Sequence, residues 1–114
     1  MTEKLLFWLG SSLDDLGTFP ADTRRLTGFQ LRRIQQGLDP NDWKPVSVVG
    51  QGVRKIRIHT ELEHRDLYVA KFAEGVYVLH AFEKRTRKTS RHDLDLARER
   101  LSALLARKRA KTAR

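Results

Sequence analysis

Six basic residues fall where an antiparallel sheet would bring strand ends together. Arg57 lies in a strand that alternates apolar and cationic residues, Arg65 starts the next strand, and Lys84, Arg85, Arg87 and Lys88 follow the last. A convergent cationic cluster without carboxylate partners suits a phosphodiester, because such groups bind phosphate and stabilise charge developing on it during transfer. Glu83, the nearest acid, alternates onto the side of Arg85 and is expected to pair with it. Other chemistries find no footing. Cysteine is absent, which removes thiol catalysis and every cysteine-ligated metal site. His59, His64, His80 and His92 show no metal-ligand spacing. There is no glycine-rich phosphate loop, no G-x-S-x-G and no H-E-x-x-H, and Gly50-Gln51-Gly52 lacks the helix of a dinucleotide fingerprint. Among the histidines, His59 and His80 end or lie within strands beside the cations.

The charge distribution points the same way. Of 114 residues, 23 are basic and 14 acidic, for a formal net charge of +9. Residues 1–83 hold 11 of each sign, whereas residues 84–114 hold 12 basic and 3 acidic. An excess confined to one segment creates a local field for a polyanion or an acidic partner, with nucleic acid the leading candidate. No apolar run nears the ~18 residues needed to span a bilayer, and Leu5 to Leu9 is too short for a secretory signal, so a soluble, cytoplasmic protein is expected.

Positioning the cations requires a sheet, and the periodicity supplies one. Leu5-Leu6-Phe7-Trp8-Leu9 reads as a strand ended by Gly10. Ser11 and Ser12, each with an aspartate three residues on, open a brief helix. A second helix is expected from Pro20 to Gly37, packing through Leu26, Phe29, Ile34 and Leu38, while Arg24, Arg25, Arg32 and Arg33 stay wet. Asp39-Pro40-Asn41-Asp42 reads as a turn. Four strands follow: Val46–Val49, Val53–His59, Arg65–Phe72 and Val76–Phe82, with a hairpin at Glu74-Gly75. In the second of these, Ile56 and Ile58 alternate with Lys55 and Arg57. Ser90-x-x-Asp93 opens a last helix with a Leu94, Ala97, Leu101, Leu104, Leu105 stripe. The expected architecture is α+β: a helical pair packed on a twisted antiparallel sheet of four to five strands, then a C-terminal helix. One domain spans residues 1–106, and the basic segment 107–114 is expected to fray.

Several segments, taken in order, resemble a known family. Lys4 to Leu16, Phe19-Pro20, Gln35-Gln36-Gly37 and Pro40-x-x-Trp43-Lys44-Pro45 are similar to the N-terminal half of phage-derived HigB-like toxins of the RelE/ParE superfamily. Val49-Gly50-x-Gly52-Val53-x-x-Ile56-Arg57 resembles their G-V-x-E-I-R strand, with Lys55 in place of the glutamate. Leu79-His80-Ala81-Phe82-x-Lys84-x-Thr86-x-Lys88-Thr89, followed by Asp93-x-x-x-Ala97-x-x-Arg100-Leu101, resembles their H-x-F-x-K-K-T-x-K-T strand and helix, with Arg85 at the second lysine.

The resemblance implies a RelE-like fold and a type II toxin that cuts mRNA on the ribosome. In that reaction the ribose 2′-OH attacks the adjacent phosphate without a metal or other cofactor. Carried over by motif position, Arg57 and Arg65 would stabilise the scissile phosphate and Lys84 would stabilise charge or move a proton. Lys55, Arg85, Arg87 and Lys88 would hold RNA, together with Tyr68 of the R-x-x-Y strand. Implied partners are mRNA on the ribosome and a helix-turn-helix antitoxin, in a higher-order toxin–antitoxin oligomer. The general base stays open among His59, His80 and a lysine of depressed pKa. Two other functions fit the same scaffold: a ParE-like gyrase poison without nuclease activity, and a non-catalytic basic RNA-binding module.

Overall fold

The computed structural model describes residues 3–112. Along the chain come β1 (Leu5–Trp8), α1 (Ser12–Gly17), α2 (Ala21–Gln35), β2 (Trp43–Pro45), β3 (Val53–His59), β4 (Glu63–Val69), β5 (Gly75–Glu83) and α3 (Arg91–Thr112). The strands form one sheet in the spatial order β1-β5-β4-β3-β2. The α+β architecture matches the expectation, with one difference in strand direction. From β2 to β5 successive strands pair antiparallel, but β1 runs parallel to β5, so the sheet is mixed. The intervening α1–α2 pair makes this possible, since a parallel neighbour needs a long crossover and not a tight turn.

Alternation along the central strands divides the core in two. On one face Val53, Leu67, Val69, Tyr77, Leu79 and Phe82 pack against Ala97, Leu101 and Leu104 of α3. On the other, Ile56, Ile58, Tyr68, Val76 and Val78 pack against Leu31 and Ile34 of α2. The two innermost strands are therefore covered on both sides, as their uninterrupted apolar character requires. No helix among the described residues is long and apolar enough to cross a membrane.

The helix ends follow local chemistry. Gly37 adopts φ +84°, with its N–H on the Ile34 carbonyl (3.0 Å) and the Leu38 N–H on the Arg33 carbonyl (2.9 Å), a Schellman stop. At α3, Ser90 Oγ accepts from the Asp93 N–H (3.1 Å) and donates to Asp93 Oδ2 (2.6 Å). The α1 box differs: Ser11 Oγ makes no capping bond to the helix backbone and instead donates to Asp15 Oδ2 (2.8 Å).

Two expectations are corrected. The buried face of α2 is Thr23, Thr27, Gln30, Leu31 and Ile34, while Leu26, Phe29 and Leu38 are exposed. Thr27 returns its hydroxyl to the Thr23 carbonyl (2.8 Å) and Thr23 meets the Thr60 hydroxyl (3.0 Å), so short satisfied side chains fit this face where the larger apolar ones do not. Val46–Val49 is a turn, and the strand comes earlier, at Trp43–Pro45. Pro45, which has no N–H to donate, ends this edge strand, and the Val46 N–H bonds the Val53 carbonyl (2.9 Å) to close the reversal. α3 runs to Thr112, so the basic segment 107–112 continues this helix, and the last two residues of the expected tail lie outside the described residues.

Candidate nucleic-acid interface

The site is built by strand register. Lys44 pairs with Lys55, and Lys55 with Leu67; Arg57 pairs with Arg65, and Arg65 with Phe82. Paired residues point to the same face, and Leu67 and Phe82 both belong to the α3-side core. Lys44, Lys55, Arg57 and Arg65 therefore share the α3 face of the sheet, on strands beyond β5, the strand that α3 packs against.

A bulge brings β5 into this arrangement. Leu67 pairs with His80 but Tyr68 pairs with Val78, leaving Leu79 as an extra residue. Ahead of it, even-numbered Val76 and Val78 face α2; beyond it, His80 and Phe82 face α3, where His80 Nε2 bonds Asp93 Oδ1 at 2.6 Å. Lys84, one alternation further, is thereby delivered to the face of Lys55 and Arg65, and its backbone N–H is tied to the Glu63 carbonyl (2.7 Å).

The electrostatics of Lys55 record the convergence. Partial burial, and then the positive charges of Lys84, Arg65, Arg57 and Lys44, hold its ammonium below the usual lysine pKa. Among the lysines considered as proton carriers, this one combines a depressed pKa with membership of the cluster.

Contrary to the expectation of unpaired cations, both arginines have carboxylate partners. Arg57 donates from Nε to Asp42 Oδ1 (2.8 Å), with Nη2 at 2.7 Å from the same oxygen. Arg65 donates from Nη1 to Glu63 Oε1 (3.0 Å) and to the His64 carbonyl (2.9 Å). His59 lies between the two acids, Nε2 on Asp42 Oδ2 (2.6 Å) and Nδ1 on Glu63 Oε1 (2.8 Å). The bonds to Asp42 and Glu63 raise the His59 pKa. Burial works to raise Asp42, but the bonds from His59 and Arg57 prevail and lower it. The His59 bond, aided by Arg65, lowers Glu63. Arg65 is only 5% exposed, and its Nε has no hydrogen-bond partner among the described residues.

The remaining site residues are placed elsewhere. Tyr68 is on the opposite face, 1% exposed within the α2-side core, so it does not join the cations. Its strand position is legible in the sequence, but one step of alternation separates it from Arg65 and Leu67. Arg85, Arg87 and Lys88 sit in the exposed loop between β5 and α3. Arg85 pairs with Glu83 (3.0 Å), as expected. A cleft of about 680 Å³ opens beside this loop, lined by Phe19, His80, Phe82, Glu83, Arg85 and His92 among others. Lys44, Asp42 and Glu63 are members of the site that the sequence does not mark. Lys44 lies in a strand that begins earlier than periodicity suggests, whereas Asp42 and Glu63 meet only through the sheet.

Residues 14–102 match the family model described as phage derived protein Gp49-like (DUF891). A comparison with curated proteins finds no match.

Proposed function

Because the chain belongs to the phage-derived Gp49-like family (DUF891), and because it gathers Lys55, Arg57, Arg65 and Lys84 on one sheet face, we propose that it is an mRNA endonuclease. The finer reading is a RelE-type toxin of a type II toxin–antitoxin pair, of the HigB-like branch, cutting mRNA on translating ribosomes in the cytoplasm. The observation that carries it is the convergence of these four cations, with a lysine of depressed pKa at their centre. Transfer to the 2′-OH needs a proton acceptor, stabilisation of added negative charge on phosphorus, and a proton donor for the leaving oxygen.

The residues divide these tasks. Lys55, in the unprotonated form that its depressed pKa makes more accessible, takes the 2′-OH proton as that oxygen bonds to phosphorus. Arg57 and Arg65 stabilise the extra charge on the non-bridging oxygens. The bond from phosphorus to the 5′ oxygen then breaks, and Lys84 gives that oxygen a proton. The products are a 2′,3′-cyclic phosphate and a 5′-hydroxyl end. Lys44 and the loop cations Arg85, Arg87 and Lys88 hold the flanking backbone. A helix-turn-helix antitoxin with an acidic segment would neutralise the protein within a larger complex.

Primer extension on a reporter mRNA, with and without translating ribosomes, tests this reading. Cleavage confined to translating complexes is the expected result. Cleavage of naked RNA would identify a free ribonuclease, and intact mRNA in both conditions would move the gyrase-poison and RNA-binding readings ahead.

A further inference from the structure

The two arginines of the cationic face belong to a continuous chain of alternating charge: Arg57, Asp42, His59, Glu63, Arg65. Each link is a hydrogen bond of 2.6–3.0 Å. Among the described residues only His59 touches both acids, and it does so with both ring nitrogens. A neutral imidazole has one N–H and would turn a lone pair toward one carboxylate; two carboxylates at these distances need the doubly protonated ring. We propose that His59 is a positioning residue: as an imidazolium it joins Asp42 to Glu63 and so holds Arg57 and Arg65 in fixed geometry on the cationic face. The inference rests on the reading of that face as an RNA site, but the clasp itself is a property of the free protein.

The logic is electrostatic. Arg57 and Arg65 are directly paired across β3 and β4 on one face, where like charges repel. Asp42 comes from the segment before β2 and Glu63 from the start of β4, so nothing local holds these acids together. With His59 charged, each carboxylate is shared between two cations and stays in place. With His59 neutral, one acid loses its second donor and is left facing a lone pair, and its arginine loses a fixed counter-charge. The groups around the ring are Asp42, Glu63, Arg57 and Arg65, with Thr60 adjacent in sequence and Lys55 further along the same face. The raised pKa of His59 gives the sign: the clasp is closed below that pKa and opens as pH rises through it.

The test uses the full chain and begins without RNA. Nitrogen-15 correlation spectra report both ring nitrogens of His59 and the Nε–H groups of Arg57 and Arg65. Both ring nitrogens are expected to be protonated at pH 6, the two arginine signals to move with the His59 titration, and Asp42→Asn to lower its midpoint. A ring that is neutral at pH 6, or arginine signals indifferent to its titration, overturns the proposal.

Function supplies the second arm, using a short single-stranded oligoribonucleotide for affinity and the translating reporter for cleavage. His59→Gln, uncharged and with a single donor nitrogen where the imidazolium has two on opposite sides, is expected to reduce cleavage about 10- to 100-fold through kcat, as small misplacements do, with affinity little changed. His59→Arg keeps a permanent cation with several donors and is expected to restore the rate and remove the loss at high pH. Full activity in His59→Gln, with an unaltered circular dichroism spectrum, refutes the positioning role. If the spectra behave as expected but the wild type cleaves nothing, the nuclease reading fails and the clasp stands.

Discussion

Arg57 and Arg65 are register partners across β3 and β4, side by side on the sheet face that carries Lys55, with Arg57 on Asp42 and Arg65 on Glu63. They differ in accessibility. Arg57 keeps about a third of its side chain open to solvent, whereas Arg65 is nearly enclosed. A buried guanidinium in a fixed position acts on a phosphate through its field and a few directed N–H groups, which is how preorganised charge stabilises a transition state.

Arg65→Ala is therefore expected to reduce cleavage by about 10²–10³ in kcat, the range for removal of one charge-stabilising donor. Affinity for single-stranded RNA should weaken only modestly, because the exposed cations remain. Single-turnover kinetics beside a binding isotherm separate the two, and a variant cutting at the wild-type rate rules out the assignment. Arg65→Lys should not rescue fully, since the guanidinium bonds Glu63 and the His64 carbonyl through Nη1 alone and keeps other nitrogens for the phosphate, whereas an ammonium has a single nitrogen for all three partners.

Lys55 is expected to separate catalysis from binding in a different way. Lys55→Met removes a proton acceptor and one phosphate-facing charge, so cleavage should fall about 10²–10⁴-fold. The slope of log affinity against log salt should also fall by about 0.7 for the lost contact with single-stranded RNA. Lys44→Ala should change the slope similarly while leaving single-turnover chemistry nearly intact. Equal loss of chemistry in the two variants would show that Lys55 contributes charge alone.

Asp66 makes a prediction about stability. It is completely buried on β4, neither carboxylate oxygen has a hydrogen-bond partner among the described residues, and burial raises its pKa from 3.8 to about 8. The folded protein keeps this proton between those values while the unfolded chain loses it, so this group's effect on stability worsens as pH rises from about 4 to 8 and is constant above. The full effect is on the order of 5 kcal/mol. Asp66→Asn should abolish this slope and raise stability at pH 8, as read by urea unfolding at several pH values. Parallel curves for the two proteins would refute the buried-acid account.

The His80–Asp93 pair is expected to hold α3 to the bulged half of β5. His80 is 4% exposed, and Asp93 also carries both bonds of the Ser90 capping box. Asp93→Ala leaves the cap from its backbone N–H to Ser90 Oγ in place but removes the carboxylate that bonds Ser90 and His80, and strands a buried ring nitrogen at about 1–3 kcal/mol. A loss of about 1–3 kcal/mol in chemical denaturation is expected, whereas Asp95→Ala on the exposed side should stay within about 0.5 kcal/mol. A small effect at Asp93 would mean that α3 is held by its leucines alone.

Much of this protein is written in local chemistry. The stripe at Leu94, Ala97, Leu101, Leu104 and Leu105 identifies α3 and its buried face from the sequence, because side chains recur at the helical period whatever they pack against. The stop at Gly37 and the cap at Ser90 are equally local. The Lys55/Ile56 alternation shows that one face of β3 carries charge, although not which charges join it from other strands.

Tertiary structure decided the rest, where long-range pairing competes with local pattern. Leu26 and Phe29 follow a plausible apolar period but lie outside, because satisfied threonines occupy the closer-packed face of α2. Tyr68 and Arg65 belong to one strand and one motif, yet three residues of alternation place them on opposite faces. Lys84 reaches the cationic face because Leu79 is inserted as a bulge, which shifts every later side chain of β5 by one step. The arginines' counter-charges, Asp42 and Glu63, meet through His59 only once β2, β3 and β4 are in register. Residue type and spacing determined which groups this protein has for chemistry, whereas register and one extra residue decided which of them meet.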